Sequence, residues 1–163
     1  MKWYSAYSFF VGLLYVIYGV LEVINGAVAW WTPLELNLQL GLPFYGEFLP
    51  KAVSDPFFGF VMLVLGSIFI LGGKRSLEGL EEGWGPITVA LLLSGALAVL
   101  SLLVIGADWL DSTYPVLFGE EAGEWSILAE DWALNPGLIL FPLALPLIKV
   151  YRAGRMRMVN PSK

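Results

Sequence analysis

The chain contains neither cysteine nor histidine among its 163 residues. The lack of cysteine excludes disulfides, thiolate metal ligands and thiol catalysis. The lack of histidine removes the commonest general base and the commonest zinc ligand. Charge is scarce as well, because Asp, Glu, Lys and Arg make up 14% of the residues, against about 25% in typical soluble domains. These deficits argue against a disordered chain, a nucleic-acid-binding protein and a routine cytosolic enzyme, and we expect no metal ion and no cofactor.

Hydrophobic residues make up 58% of the chain, and they are concentrated in four stretches. A helix needs about 20 mainly apolar residues to cross the hydrocarbon core of a bilayer. The predicted spans are residues 4–29, 56–73, 86–107 and 135–151. Two longer external loops, 32–55 and 108–134, and a basic cytoplasmic tail, 152–163, account for the remainder. We therefore predict one membrane domain over residues 1–163, an all-α integral membrane protein with a four-transmembrane-helix bundle.

The first and last spans need separate arguments. Residues 27–29 (Ala-Val-Ala) resemble a signal-peptide cleavage site, but the preceding apolar stretch is longer than a signal sequence requires. We therefore expect the first span to be retained. Asn135 and Pro136 are typical of an N-cap and a first helical residue. Pro142 and Pro146 fall within the fourth span and predict a kinked helix there.

Basic residues are distributed unequally between the two sides that four alternating spans would create. One side carries Lys51 alone, and the remaining cations fall on the other. The cations of that other side are Lys2, Lys74, Arg75, Lys149, Arg152, Arg155, Arg157 and Lys163. Cytoplasmic loops carry the excess of Lys and Arg, so we expect a cell-membrane protein with both termini in the cytoplasm. The tail should then meet anionic lipid headgroups.

The two external loops contain short apolar patterns of their own. Leu34–Leu40 alternates apolar and polar residues, which is typical of a half-buried β-strand. Tyr114–Phe118 and Trp125–Leu128 are apolar patches that either pair with this strand or lie on the membrane surface. The loops therefore predict a short strand or hairpin at the external end. This cap would serve either as a lid that shields the bundle or as a recognition surface.

One face of the first span carries the polar residues Tyr15, Tyr18, Glu22 and Asn25, at helical spacing. The opposite face is aliphatic and includes Val20, so we expect the polar face to point into the bundle. Glu22 is the only acidic residue within any predicted span, and no basic residue lies within a span to pair with it. An ionisable residue in a membrane is a candidate functional site. We expect Glu22 to be protonated and hydrogen-bonded to Tyr18 or Asn25, either as part of a binding site or as a structural contact.

Glycines recur at intervals of seven residues in the first two spans. They are Gly12, Gly19 and Gly26 in the first span and Gly59 and Gly66 in the second. Small residues let membrane helices approach closely, so this spacing predicts a helix–helix contact between spans one and two.

The remaining candidates are less specific. Asp55 and Asp108 border the predicted outer ends of spans two and three, where they would form either an acidic mouth for a cation or solvated helix caps. The sequence shows no nucleophile elbow and no phosphate-binding glycine loop, so no catalytic residue is predicted.

Three classes of function stay open. The sequence favours an accessory, binding or assembly subunit that acts through its external face. The alternative is a small solute or ion transporter or channel bundle that uses Glu22 and forms a homo-oligomer. Whether Glu22 would couple transport to the exchange of a proton stays open. A lipid-modifying enzyme that uses the external acids is the third reading.

Overall fold

The computed structural model describes residues 2–34, 36–44, 46–119, 121, 123–126 and 134–149. Three helices are long and apolar enough to cross a membrane. They are α1 (Lys2–Trp31), α2 (Pro56–Leu77) and α3 (Trp84–Thr113). A shorter helix, α4 (Pro136–Ala144), continues into a 3₁₀ turn at Leu145–Leu147. Of the described residues, 76% are helical, so the predicted all-α fold class is confirmed.

The four helices pack as neighbours in chain order, and α1 also contacts α4. Their shared core is aromatic and aliphatic, with Tyr15 of α1 stacked on Phe69 of α2 at a ring-centroid distance of 5.8 Å. Ile87 of α3 and Leu140 of α4 complete this core and are almost fully buried. The opposite faces of the helices expose large apolar side chains, as expected for surfaces that contact lipid.

Helices α1 and α2 are antiparallel and touch through the heptad-spaced glycines. A Cβ atom at Gly12 would lie 2.7 Å from the carbonyl oxygen of Gly66, and one at Gly59 would lie 2.8 Å from the carbonyl oxygen of Gly19. Gly26 packs against Pro56, at the start of α2, where an added Cβ would lie 2.3 Å from the proline nitrogen. These distances exclude side chains, so the two backbones are in direct contact.

Helix α3 extends six residues beyond the predicted end of the third span at residue 107. The hydroxyls of Ser112 and Thr113 donate to the carbonyl of Trp109 within the same helix, at 2.8 and 3.0 Å. A 3₁₀ turn at Tyr114–Phe118 follows and ends at Gly119, whose φ is 79°. Because helix formation tolerates polar residues that a hydrocarbon core does not, the helix continues beyond the predicted end of the span.

Helix α4 begins the helical segment at the predicted fourth span, and this segment continues through the 3₁₀ turn to residue 149. Asn135 is its N-cap and accepts a hydrogen bond from the Leu138 amide at 2.9 Å, and Pro136 is its first residue. Proline lacks the N–H that continues a helix, and the regular α-helix has only nine residues before Pro146 lies in the 3₁₀ turn. The predicted end near residue 151 and the basic tail lie outside the described residues.

The strand predicted over Leu34–Leu40 is wrong. The described part of that segment is irregular, and a two-stranded antiparallel hairpin follows it, formed by β1 (Leu42–Phe44) and β2 (Glu47–Leu49). The physical reason is that the backbone at residues 38–40 forms hydrogen bonds with side chains of α1 instead of a neighbouring strand. The third patterned segment, Trp125–Leu128, lies partly outside the described residues.

Candidate functional site

The four polar residues of α1 all face the interior of the protein. Glu22, Asn25 and Tyr15 are each 0% exposed, and Tyr18 is 3% exposed. Their spacing of three and four residues keeps them on one side of the helix. On the other side Val20 is exposed, as expected for a lipid-facing position. The sequence therefore orients α1 with its polar face toward the bundle and the loop that follows it.

That loop covers the end of the bundle where α1 ends and α2 begins, which we call the capped end. We call the described loop residues 36–44 and 46–55 the strap. The Asn25 side chain pairs with the backbone of Leu38 in both directions: its amide nitrogen donates to the carbonyl oxygen at 2.9 Å, and its oxygen accepts from the amide at 2.9 Å. The Tyr18 hydroxyl donates to the carbonyl of Leu40. Two side chains of α1 thus hold the strap against the helix.

A second amide folds the strap onto itself. Gln39 donates to the carbonyl of Ala52 at 3.1 Å and accepts from the Ala52 amide at 2.8 Å. The Lys51 amide donates to the carbonyl of Leu134 at 2.7 Å, so the strap also contacts the residue that precedes the N-cap of α4. Gly41 packs tightly, since a Cβ atom there would lie 2.5 Å from the Leu49 oxygen. The strap is therefore a folded element attached to both α1 and the start of α4.

Glu22 lies between the two attachment points, one helical turn from Tyr18 and one from Asn25. It is fully buried, and neither carboxyl oxygen has a hydrogen-bonding partner of normal geometry within the described ranges. The backbone of Val53 in the strap lies beside this carboxyl, and Asp55 is close enough to interact with it electrostatically. The expectation that Tyr18 or Asn25 would bond to Glu22 is wrong, because both use their polar atoms on the strap backbone.

Tyr15 lies deeper in the bundle than the other three polar residues. Seven residues separate it from Glu22, which corresponds to about 10 Å along the helix axis. Its ring stacks on Phe69, and its hydroxyl lies near Ser94 of α3 without a hydrogen bond of normal geometry. Tyr15 is thus part of the core, whereas Tyr18, Glu22 and Asn25 lie beneath the strap.

The two residues of the predicted acidic mouth have separate positions. The carboxylate of Asp55 caps α2 by accepting hydrogen bonds from the amides of Phe57 and Phe58, at 2.9 and 3.1 Å. Asp108 lies within α3, five residues before its end, and so does not cap that helix. Among the described residues, no group of three or more acidic side chains could hold a metal ion.

Sequence reasoning missed the exposed side of the strap and of Leu34, which precedes it. Leu34, Leu36, Leu38 and Leu40 are 68%, 38%, 38% and 46% exposed, whereas Gln39 is half-buried. The leucines, which a half-buried strand would place inside, are therefore exposed, as is Asn37, whereas Gln39 is turned inward. Only knowledge of the partners of Gln39 and of the Leu38 backbone would have revealed this.

A family model described as the MJ0565 integral membrane domain matches residues 1–153. The match covers nearly the whole chain, so the protein belongs to this family and is an integral membrane protein. No curated protein and no solved structure matches the chain.

Proposed function

We propose that this member of the MJ0565 integral membrane domain family is a non-catalytic accessory or assembly subunit that binds a membrane partner at its capped end. The exposed apolar row of the strap carries this proposal. Leu36, Leu38 and Leu40 point away from the bundle, and Phe44 of the adjoining hairpin is 50% exposed. A contiguous exposed apolar surface is typical of an interaction site.

The construction of the strap supports the same conclusion. Asn25 and Gln39 satisfy the backbone of Leu38 and Ala52 from the inner side, so the leucines are free to face outward. A surface that is ordered before binding loses less conformational entropy when a partner docks. The strap is therefore a preorganised recognition surface rather than a simple cover for the helix ends.

Site-specific photo-cross-linking in native membranes tests this function. A photoreactive amino acid at Leu40 should give a protein adduct of discrete mass, and one at Val20, on the lipid-facing side of α1, should not. Replacing Leu36 and Leu38 by Ser should abolish the Leu40 adduct, since it removes the neighbouring apolar surface. An adduct at twice the mass of the chain would identify a homo-oligomer. Adducts with lipid alone at Leu40 would contradict the proposal.

We further propose that α4 is a fourth span, that the protein lies in the cell membrane, and that the capped end is external. Lys74 and Arg75 occur in the last turn of α2, opposite the capped end, in agreement with cytoplasmic termini. The tail, 152–163, would then meet anionic lipids. Single cysteines are clean probes because the native chain has none. An impermeant thiol reagent should label Glu121→Cys from outside and Glu82→Cys only from inside, and the reverse pattern would refute this orientation.

A second candidate function, solute or ion transport, is favoured by the carboxyl of Glu22. It is fully buried and has no hydrogen-bonding partner of normal geometry within the described ranges, which is costly for a group that serves only the fold. The variant Glu22→Gln preserves shape and cannot exchange a proton. A reconstituted flux, or a ligand-induced shift of the melting temperature, that is present in the native protein and lost in this variant would establish transport. Equal behaviour of the two proteins would refute it.

A further inference from the structure

We propose that Glu22 is a binding site for a single small cation, a proton or an alkali metal ion, and that the cation reaches it from the capped end when the strap lifts from α1. This inference deepens the second candidate function and rests on it. It names the ligand class, the route of access and the element that closes that route.

The first argument is the state of the carboxyl itself. Glu22 is 0% exposed, and neither of its oxygens has a hydrogen-bonding partner of normal geometry within the part of the chain that the structure describes, although the backbone of Val53 lies beside the carboxyl. A buried carboxylate that lacks both well-formed hydrogen bonds and a cation is strongly unfavourable, so the group needs a proton or a positive ion. A single carboxyl balances one positive charge, which favours a monovalent ligand.

The second argument is the charge around the site on each packed element. On α1 the neighbours are the neutral residues Tyr18 and Asn25, and at the N-terminus of α2 the neighbour is Asp55. On the strap, the Lys51 ammonium lies 3.5 Å from Glu47. The described residues thus place a second negative charge near Glu22 and show no salt bridge to it, so the local field favours a cation.

The third argument is how the strap is attached. The side-chain hydrogen bonds that join the described strap to α1 are made by Tyr18 and Asn25, which flank Glu22 on either side along the helix. The strap is therefore attached to α1 next to the Glu22 carboxyl, which it covers. When it lifts, the hydroxyl of Tyr18 and the side-chain oxygen of Asn25 lose their partners beside Glu22. Hard cations take oxygen ligands of this kind.

The fourth argument is the low cost of opening. Of the hydrophobic residues that the structure describes in the strap, Ala52 alone belongs to the buried core; Leu49 and Val53 are half-buried, and the other leucines are exposed. Segments that bury few apolar side chains open locally at lower free energy than the core does. Opening would break polar contacts with α1 and expose little apolar surface.

Chemical labelling of carboxyls measures this access directly. A water-soluble carbodiimide with an amine nucleophile converts accessible carboxyls into amides, and mass spectrometry gives the rate at each site in the purified full chain in lipid nanodiscs. Glu47, whose side chain is 54% exposed, serves as the internal reference. We expect Glu22 to react about tenfold or more slowly than Glu47 in the native protein, because the strap opens only transiently.

The variants Tyr18→Phe and Asn25→Ala should each accelerate the labelling of Glu22 about fivefold, because the first removes one and the second removes two of the hydrogen bonds that hold the strap. Tyr15→Phe is the matched control, since it deletes the same hydroxyl from the same helix face without touching the strap, and it should leave the rate unchanged. Glu47 labelling and the melting temperature check that each variant is folded. Equal Glu22 rates in all four proteins, or native Glu22 labelling as fast as that of Glu47, would overturn the role of the strap.

The identity of the cation follows from the same assay. Slower Glu22 labelling in sodium chloride than in choline chloride at equal ionic strength would identify an alkali ion. A pH profile displaced from that of Glu47, without a sodium effect, would identify a proton. A profile identical to that of Glu47 without a sodium effect would refute the cation site. Because labelling requires no transport, strap-dependent labelling without flux refutes the transport function alone, and strap-independent labelling with intact flux refutes the access route alone.

Discussion

The α1–α2 and α3–α4 contacts are built in opposite ways. Between α1 and α2 the backbones meet, and an added Cβ at Gly66 would lie 2.6 Å from the carbonyl oxygen of Gly12. Between α3 and α4 there is an apolar groove of about 680 Å³, lined on one side by residues such as Leu92 and Val99 and on the other by Phe141 and Leu145. The α1–α2 contact thus depends on glycine, whereas the α3–α4 contact leaves part of the space between the helices unfilled.

Hydrogen bonds help to hold α4 in place, because its packing against α3 leaves a groove. At the capped end, the amide nitrogen of Asn135 donates to the hydroxyl of Ser101 at 3.2 Å, and both residues are fully buried. At the other end α4 is held by α1 instead, since the hydroxyl of Tyr7 in α1 donates to the carbonyl of Leu143 in α4 at 2.7 Å. Small residues in a membrane helix therefore do not always indicate a close helix–helix contact. Whether the backbones meet depends on the residues that the neighbouring helix places opposite them.

The largest effect should follow from filling the α1–α2 contact. The variant Gly66→Leu should destabilise the protein by about 3 kcal/mol or more, because the new side chain meets the backbone of α1 and neither helix can yield by a rotamer change. The free energy of unfolding in mixed micelles measures this. Gly19→Leu should behave in the same way, and Val20→Leu on the lipid-facing side should be neutral. Similar values for all three variants would mean that the α1–α2 contact is not close-packed.

A smaller loss should follow from removing the polar contact of α4. The variant Asn135→Ala removes both the N-cap of α4 and the hydrogen bond to Ser101, and it should cost about 1–2 kcal/mol. Ser112→Ala is a suitable control because that exposed hydroxyl bonds only within its own helix, and it should stay within about 0.5 kcal/mol of the native protein. A loss as large as that of Gly66→Leu would show that α4 is held more firmly than the groove implies.

The smallest effect should occur at a glycine of the loosely packed helix. An added Cβ at Gly106 of α3 has no neighbour within 4 Å among the described residues. Gly106→Ala should therefore be neutral or stabilise the protein by up to about 1 kcal/mol, since Ala restricts the unfolded chain. Gly66→Ala is the matched comparison and should be clearly destabilising in the same unfolding assay. Destabilisation by Gly106→Ala would indicate a contact at that position.

The sequence predicted the features that depend on periodicity within one helix. Apolar length gave the three long helices, and helical spacing gave the inward face of Tyr15, Tyr18, Glu22 and Asn25. The heptad spacing of Gly12 and its equivalents likewise depends on a single helix, which is why it could be recognised without knowing the partner.

The predictions that differ from the structure concern features that sequence patterns within one segment do not determine. The third span was predicted to end at residue 107 from hydropathy, which reports suitability for lipid and not for helix, and α3 continues to Thr113. Glu22 was assigned Tyr18 or Asn25 as partner because both are near it on α1, but unpaired backbone groups at Leu38 and Leu40 compete for them. No pattern within a single segment shows such competition.

The equal glycine spacing of α1 and α2 has a consequence for how the chain enters the membrane. Gly12 faces Gly66, Gly19 faces Gly59, and Gly73 faces the backbone of Ser5, so all three pairs share one antiparallel register. Any slip shorter than seven residues would place side chains against the opposite backbone. The register between α1 and α2 is therefore determined by residues of these two helices alone. All of these residues are present once residue 77 has been synthesised, before α3 is made. This hairpin can insert and lock as a unit, and the later helices can assemble on a surface that is already fixed.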